Sequence, residues 1–153
     1  MVIFIGENKK MPPCIFCNIL SGLTPADIIF RDELCAAFMD IRPINPGHVL
    51  VVPISHAALL TELEEAACGR LLLVAQRVDA ALRASGLKCE GVNLFLADGR
   101  PAGQEVLHVH LHVIPRFAGD GHHLRFHPAY FKPTPLADLE KNSDLIRAHM
   151  GGS

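Results

Sequence analysis

Residues 108–114 read His108-Val109-His110-Leu111-His112-Val113-Ile114, with imidazoles and aliphatic side chains in strict alternation. A period of two suits a half-buried β-strand, whose successive side chains point to opposite faces. The pattern predicts a strand over 106–114, ended by Pro115, with Val109, Leu111 and Val113 entering the core. All three rings then share the other face. Thr, Lys or Glu usually fill such a face, so three histidines in line point to chemistry.

The flanking sequence supplies a domain to hold that strand. Apolar residues at 15, 16, 19 and 20 predict a short helix ended near Gly22, and 27–31 and 34–39 flank Asp32-Glu33 as a tight hairpin. His48 to Val52 reads as a buried strand closed by Pro53. Thr61 with Glu64 forms a capping-box pattern ahead of apolar positions 63, 67, 71, 74, 78 and 82, one long amphipathic helix stopped by Gly86. A strand over 91–96 and a two-glycine turn at 98–103 lead into the histidine strand. Hairpins plus one long helix define an antiparallel α+β domain. Residues 1–13 read as a loose extension, 14–120 as the domain, and 121–153 as an irregular tail with a short helix from Leu136 to Ile146.

Half of the 153 residues are apolar and a fifth are charged, which excludes a disordered chain. The net charge is −2 and no Lys/Arg stripe occurs, so no nucleic-acid partner held by phosphate neutralisation is expected. Five cysteines, an odd number, do not make a disulfide framework. No run reaches membrane-spanning length and the start lacks secretory features. A cytoplasmic protein with reduced thiols, and no membrane association, is expected.

Three aligned imidazoles invite two chemistries. As zinc ligands they are poorly placed, because residues 108 and 112 lie about 13 Å apart along a strand, whereas each nitrogen must approach the metal to about 2.1 Å. Two adjacent rings remain possible ligands. As an acid–base and nucleophilic set they suit phosphate chemistry, since neutral imidazole is a competent nucleophile near pH 7. Gly99 and Gly103, followed by Gln104-Glu105-Val106, can turn backbone N–H groups toward an anion beside the strand. Cys14-x-x-Cys17 has zinc spacing but offers only two ligands, and two small residues at a helix start explain it equally.

Gly103 through Arg116, together with Asp40-Ile41-Arg42-Pro43 and Pro46-Gly47-His48-Val49-Leu50-Val51-Val52-Pro53, resembles the two diagnostic stretches of the histidine triad (HIT) family of nucleotide hydrolases and transferases. The resemblance runs from about Cys14 to Asp120. It implies a five-stranded antiparallel sheet with a long helix, dimerising into a ten-stranded sheet. It also implies hydrolysis of a purine nucleotide at the α-phosphate, with phosphoramidates, aminoacyl adenylates or dinucleoside polyphosphates as substrates. His110 matches the nucleophile, His112 the flanking imidazole that contacts phosphate, and His48 the residue that steadies the nucleophile. The backbone of Gly103, Gln104, Glu105 and Val106 matches the phosphate donors, and Asp40 the acceptor of both ribose hydroxyls. Ile15, Phe16, Ile19, Phe38 and Ile41 wall the base, although each also reads as plain core. No catalytic cofactor is implied.

The chain departs from the family where an amide side chain is usual: Ala97 stands there, with Asp98 or Asn93 as possible substitutes near the phosphates. Glu105 replaces a hydroxyl residue of some eukaryotic relatives and leaves the leaving group open. Some bacterial relatives bind structural zinc through residues matching Cys14, Cys17, His56 and His108. Cys35, Cys68 and Cys89 read as core filler, and His122, His123 and His127 as solvated. A zinc-dependent hydrolase with triad ligands and a non-catalytic nucleotide-binding module are the competing readings.

Overall fold

The structure, a computed structural model, describes residues 14–151. The extension expected over 1–13 lies outside the described residues. The chain divides after Asp120 into two compact units.

The first unit opens with helix α1 (Ile15–Leu20), then hairpin β1 (Ile28–Arg31) and β2 (Cys35–Met39). Asp32 makes the hairpin turn. Its Oδ1 accepts from the N–H groups of Leu34 and Cys35, and Arg70 Nε donates to Oδ2 at 2.7 Å. Strand β3 (Val49–Pro53), helix α2 (Glu65–Ala84), β4 (Gly91–Phe95) and β5 (Leu111–Arg116) follow. The five strands form one sheet in the order β1-β2-β3-β5-β4, and every pair is antiparallel. This is the architecture the resemblance implied.

Strands β2 and β3 are buried on both faces, which is why they read as nearly unbroken apolar runs. On one face Cys35, Ala37, Val49, Val51, Val109, Leu111 and Val113 meet the inner stripe of α2, from Leu71 and Val74 to Val78 and Leu82. Burying side chains such as Leu71 stabilises the fold by roughly 1.5–3 kcal/mol each. On the other face Ala36, Phe38, Leu50 and Val52 meet Phe16, Ile19 and Leu20 of α1. A six-residue helix covers only part of a five-stranded sheet, so the rest of that face is available for a site.

Several expected boundaries move, the largest at the long helix and the histidine strand. Leu60–Glu62 forms a 3₁₀ turn and α2 begins at Glu65 without a side-chain cap, so the Thr61–Glu64 capping box does not form. Instead the Glu62 carboxylate accepts from the N–H groups of Ala58 and Leu59. Strand β5 starts at Leu111, not 106, and runs through Pro115 to Arg116. Cys68 is exposed rather than core, whereas Cys35 is fully buried and Cys89 partly so.

The second unit holds a 3₁₀ turn at Pro128–Phe131 and helix α3 (Leu136–Arg147). Phe126 stacks on Tyr130 at 4.4 Å between ring centroids. None of its described residues is buried, and His122, His123 and His127 are exposed. Among the described residues, no helix is long and apolar enough to cross a membrane.

Candidate active site and metal centre

The face that α1 leaves uncovered carries a cavity of about 630 Å³. The alternation read from the sequence holds where it matters. Val109, Leu111 and Val113 pack toward α2, while His108, His110 and His112 turn to the α1 side. Leu50 and His112 are direct partners across β3 and β5, so His48 enters the same face two residues earlier. His110 and His112 line the cavity with ring centroids 4.9 Å apart, and His110 is only 5% exposed.

Hydrogen bonds assign the ring protons. His110 Nδ1 lies 2.7 Å from the carbonyl oxygen of His108, which can only accept, so Nδ1 carries the proton. His110 Nε2 is left with a free lone pair. His48 Nδ1 accepts from the Ile44 N–H at 3.1 Å, which puts the His48 proton on Nε2. That N–H donates to His112 Nδ1 at 2.9 Å, leaving the His112 Nε2–H as a donor. Burial is the main cause that lowers the pKa of His48, opposed by the Asp40 carboxylate 3.6 Å away. Burial, reinforced by His110 and His48, pushes His112 down to about 4. Both rings are therefore neutral at pH 7. The sequence reading had His48 steady the nucleophile; the structure puts its hydrogen bond on His112, and the His108 carbonyl holds His110.

The turn before the strand is more selective than its sequence implied. Gly103 and Gln104 spend their N–H groups on the carbonyls of Arg100 and Gly99. Gly103 caps the turn at φ +93°, a left-handed conformation that favours glycine. Among the described residues, the N–H groups of Glu105 and Val106 donate to nothing, and both residues line the cavity. The Gln104 side chain is buried elsewhere: Oε1 accepts from the Gly99 N–H and Nε2 donates to the Ala58 carbonyl. Asn93 does not line the cavity, because its carboxamide oxygen accepts from Arg116. Asp98 is likewise engaged, accepting from the Leu60 N–H. Neither replaces the amide missing at Ala97, which is itself buried.

Asp40, Ile41, Ile15, Phe16, Ile19 and Phe38 all line the cavity. The Asp40 carboxylate accepts from the Arg42 N–H through Oδ1. Sequence reasoning missed Arg42, Ile44, Leu50, Phe95 and Ile114, which also line it. Leu50 and Ile114 were within reach, since they follow His48 and His112 by two residues on the same face.

Beside the cavity, Cys14, Cys17, His56 and His108 bring four ligand atoms within 4.8 Å of one another. Cys14 Sγ and Cys17 Sγ lie 3.5 and 3.6 Å from His108 Nδ1, and Cys17 Sγ is 3.4 Å from His56 Nδ1. Tetrahedral zinc with these ligand types sets sulfur–nitrogen edges of about 3.6 Å. His108 Nε2 donates to the Pro53 carbonyl at 2.9 Å, so Nδ1 faces the cluster with its lone pair free. Donor types, spacing and tautomer all fit zinc. Burial, then the Cys14 thiol, raises Cys17 to about 11, a cost that a cation offsets by stabilising thiolate. Asp40, His48 and His112 form a second group of ligand types. It does not fit a cation, because His48 Nε2 carries its proton for as long as Nδ1 accepts from Ile44. The zinc-dependent reading through triad ligands gains no site from this group.

The HIT domain family matches residues 21–119. An uncharacterised HIT-like protein of Methanocaldococcus jannaschii is 42% identical over 114 residues, covering 74% of this chain and 86% of its own. The adenosine 5′-monophosphoramidase of Schizosaccharomyces pombe is 39% identical over 103 residues, 67% of this chain and 74% of its own. The crystal structure of a zinc-bound histidine triad family protein from Mycobacterium smegmatis superimposes with a TM-score of 0.70 at 40% identity, covering 89% of this chain and 91% of that one. Sheet, cavity and imidazole array are those of a histidine triad fold. The chain belongs to the HIT family.

Proposed function

We propose that this chain hydrolyses purine nucleotides at the α-phosphate through a nucleotidyl-histidine intermediate on His110. The observation that carries the reading is the tautomer of His110: the His108 carbonyl binds the Nδ1 proton, so the Nε2 lone pair faces the cavity. Phosphoramidates, aminoacyl adenylates and dinucleoside polyphosphates share the required phosphorus centre.

In the first step the Nε2 lone pair forms a bond to phosphorus and the bond to the leaving group breaks. The leaving atom keeps that electron pair and takes a proton from water at the cavity mouth. The His112 Nε2–H and the free N–H groups of Glu105 and Val106 donate to the non-bridging oxygens, a preorganised set for the charge that develops there. The His108 carbonyl stabilises the cationic phosphoimidazole through Nδ1–H. In the second step water bonds to phosphorus and releases a proton to solvent, and the phosphorus–nitrogen bond breaks to restore neutral His110. Asp40 offers two carboxylate oxygens to the vicinal ribose hydroxyls. Phe16, Ile19, Phe38 and Ile41 flank the base.

Cys14, Cys17, His56 and His108 hold structural zinc in this reading. With four protein ligands the site is closed, and when filled it ties α1 to the segment carrying the nucleophile. Phe16, on α1, meets His110 edge-on at 5.2 Å, so the tie supports the cavity wall. A cytoplasmic homodimer with no nucleic-acid partner completes the reading.

Single turnover of α-³²P-labelled adenosine 5′-monophosphoramidate tests it. An acid-labile, base-stable adduct on wild type that His110→Ala lacks is the expected result. Nucleotide binding without adduct or product would favour a non-catalytic module.

A further inference from the structure

Between β2 and β3 the chain runs over the surface, and of residues 41–46 only Asn45 is buried. Its Nδ2 donates to the Pro115 carbonyl at 2.9 Å and to Asp120 Oδ2 at 2.9 Å. The Asp120 carboxylate is gripped in turn by Arg116, whose Nε and Nη2 donate at 2.6 and 3.0 Å. Arg116 also donates to Asn93 on β4. Leaving buried polar groups of this kind unmatched is costly, so the network fixes the loop tip against the end of β5.

The residues beside that foot reach the imidazole array. The Ile44 N–H donates to His48 Nδ1 at 3.1 Å, and the Asn45 carbonyl accepts the His48 N–H at 3.1 Å. The first of these bonds keeps the His48 ring proton on Nε2. That proton reaches His112 Nδ1 at 2.9 Å and so keeps the His112 proton on its own Nε2. The Asp40 carboxylate, 3.6 Å from His48 Nε2, is too distant to hold the arrangement by a hydrogen bond. Were the Ile44 N–H to withdraw, each ring would be free to move its proton to the other nitrogen with no change of charge. His48 Nε2 would then accept, His112 Nδ1 would donate, and His112 Nε2 would present a lone pair in place of a donor.

We infer that Asn45 is a positioning residue: by pinning the loop to Pro115 and Asp120 it holds the Ile44 N–H on His48, and through His48 it keeps a donor on His112 Nε2. The inference rests on the nucleotidyl-transfer reading above, in which that donor meets a non-bridging oxygen.

The test reads the rings directly, by nitrogen-15 spectra of the full chain, beside kcat and KM for adenosine 5′-monophosphoramidate. Wild type should carry the His48 and His112 protons on Nε2. Asn45→Ala should turn both rings into tautomer mixtures. Losing one such donor outright costs about 100- to 1,000-fold in kcat, so partial loss should lower kcat by about tenfold or more, with KM within about threefold. Val78→Ala, which opens the core on the α2 face, should lose stability but keep the wild-type tautomers and kcat. If Asn45→Ala does not fold, Asn45→Ser is read in its place, its hydroxyl being too short to reach both acceptors. Rings already mixed in wild type, or unchanged in the variant, overturn the inference whatever the rate does. Mixed rings with an unchanged kcat overturn it too. A wild type that cleaves nothing overturns the nucleotidyl-transfer reading instead, and the ring spectra still decide whether Asn45 sets the tautomer.

Discussion

His110 Nδ1 donates to the carbonyl oxygen of His108 at 2.7 Å, so the tautomer of the proposed nucleophile is set by a residue whose own ring faces Cys14 and Cys17. Under the proposed function the backbone oxygen of one histidine serves the reaction while its side chain serves the metal. The two roles are separable by substitution. His110→Ala removes the attacking nitrogen but no zinc ligand. Turnover should fall by at least about a thousandfold, with zinc content by atomic absorption unchanged. Retained turnover would exclude His110 as nucleophile.

Cys17→Ser should give the converse. The wild-type chain is expected to hold one zinc per chain, and the variant close to none. Metal binding free energy is folding free energy at such a site, so melting should drop by more than about 5 °C. Prolonged chelation of wild type should reproduce the drop. If the wild type refolds without metal to the same melting temperature, the cluster is four packed side chains and nothing more.

The histidine strand shows what a sequence pattern does and does not carry. Alternation put Val109, Leu111 and Val113 in the core correctly, because side-chain direction follows from extended backbone alone. It overestimated the ladder. Over 106–110 the partners that would extend the strand are diverted: the Pro53 carbonyl takes the His108 ring N–H, and the Val109 N–H goes to the Ala57 carbonyl. Gln104 and Asn93 misled for a related reason. The Gln104 N–H, read as a phosphate donor, goes to the Gly99 carbonyl, and the Asn93 amide, read as a substitute near the phosphates, accepts from the Arg116 guanidinium. Arg42 was illegible because its partner lies 63 residues away.

Acid should weaken the fold through His112. Its folded pKa is about 4, against about 6.5 in an unfolded chain. Between those values the unfolded state binds the proton and the folded state does not. Stability therefore falls as pH drops from 6.5 to 4 and levels off below, by about 3 kcal/mol at most from this ring. His48 acts in the same direction. Urea midpoints at pH 7, 6 and 5 for wild type and His112→Gln would show it, with the variant's dependence flatter. Equal slopes would mean that the ring is solvated in both states.

The β4 edge of the sheet bears on assembly. Among the described residues strand β4 pairs only with β5, so it forms an edge of the sheet, with Leu94 and Phe95 exposed on it. An apolar edge of this kind is a template for another strand. Pairing of two β4 strands about a two-fold axis would make the ten-stranded sheet that the family resemblance implies, and a two-fold closes the assembly at two copies. Light scattering should give about twice the chain mass for wild type. Leu94→Lys is the informative variant, because Phe95 lines the cavity and Leu94 does not. A charge at that edge should shift the chain toward monomer at micromolar concentration, with the far-ultraviolet spectrum unchanged. A wild type that scatters as a monomer at tens of micromolar would leave the edge capped by something other than its own copy.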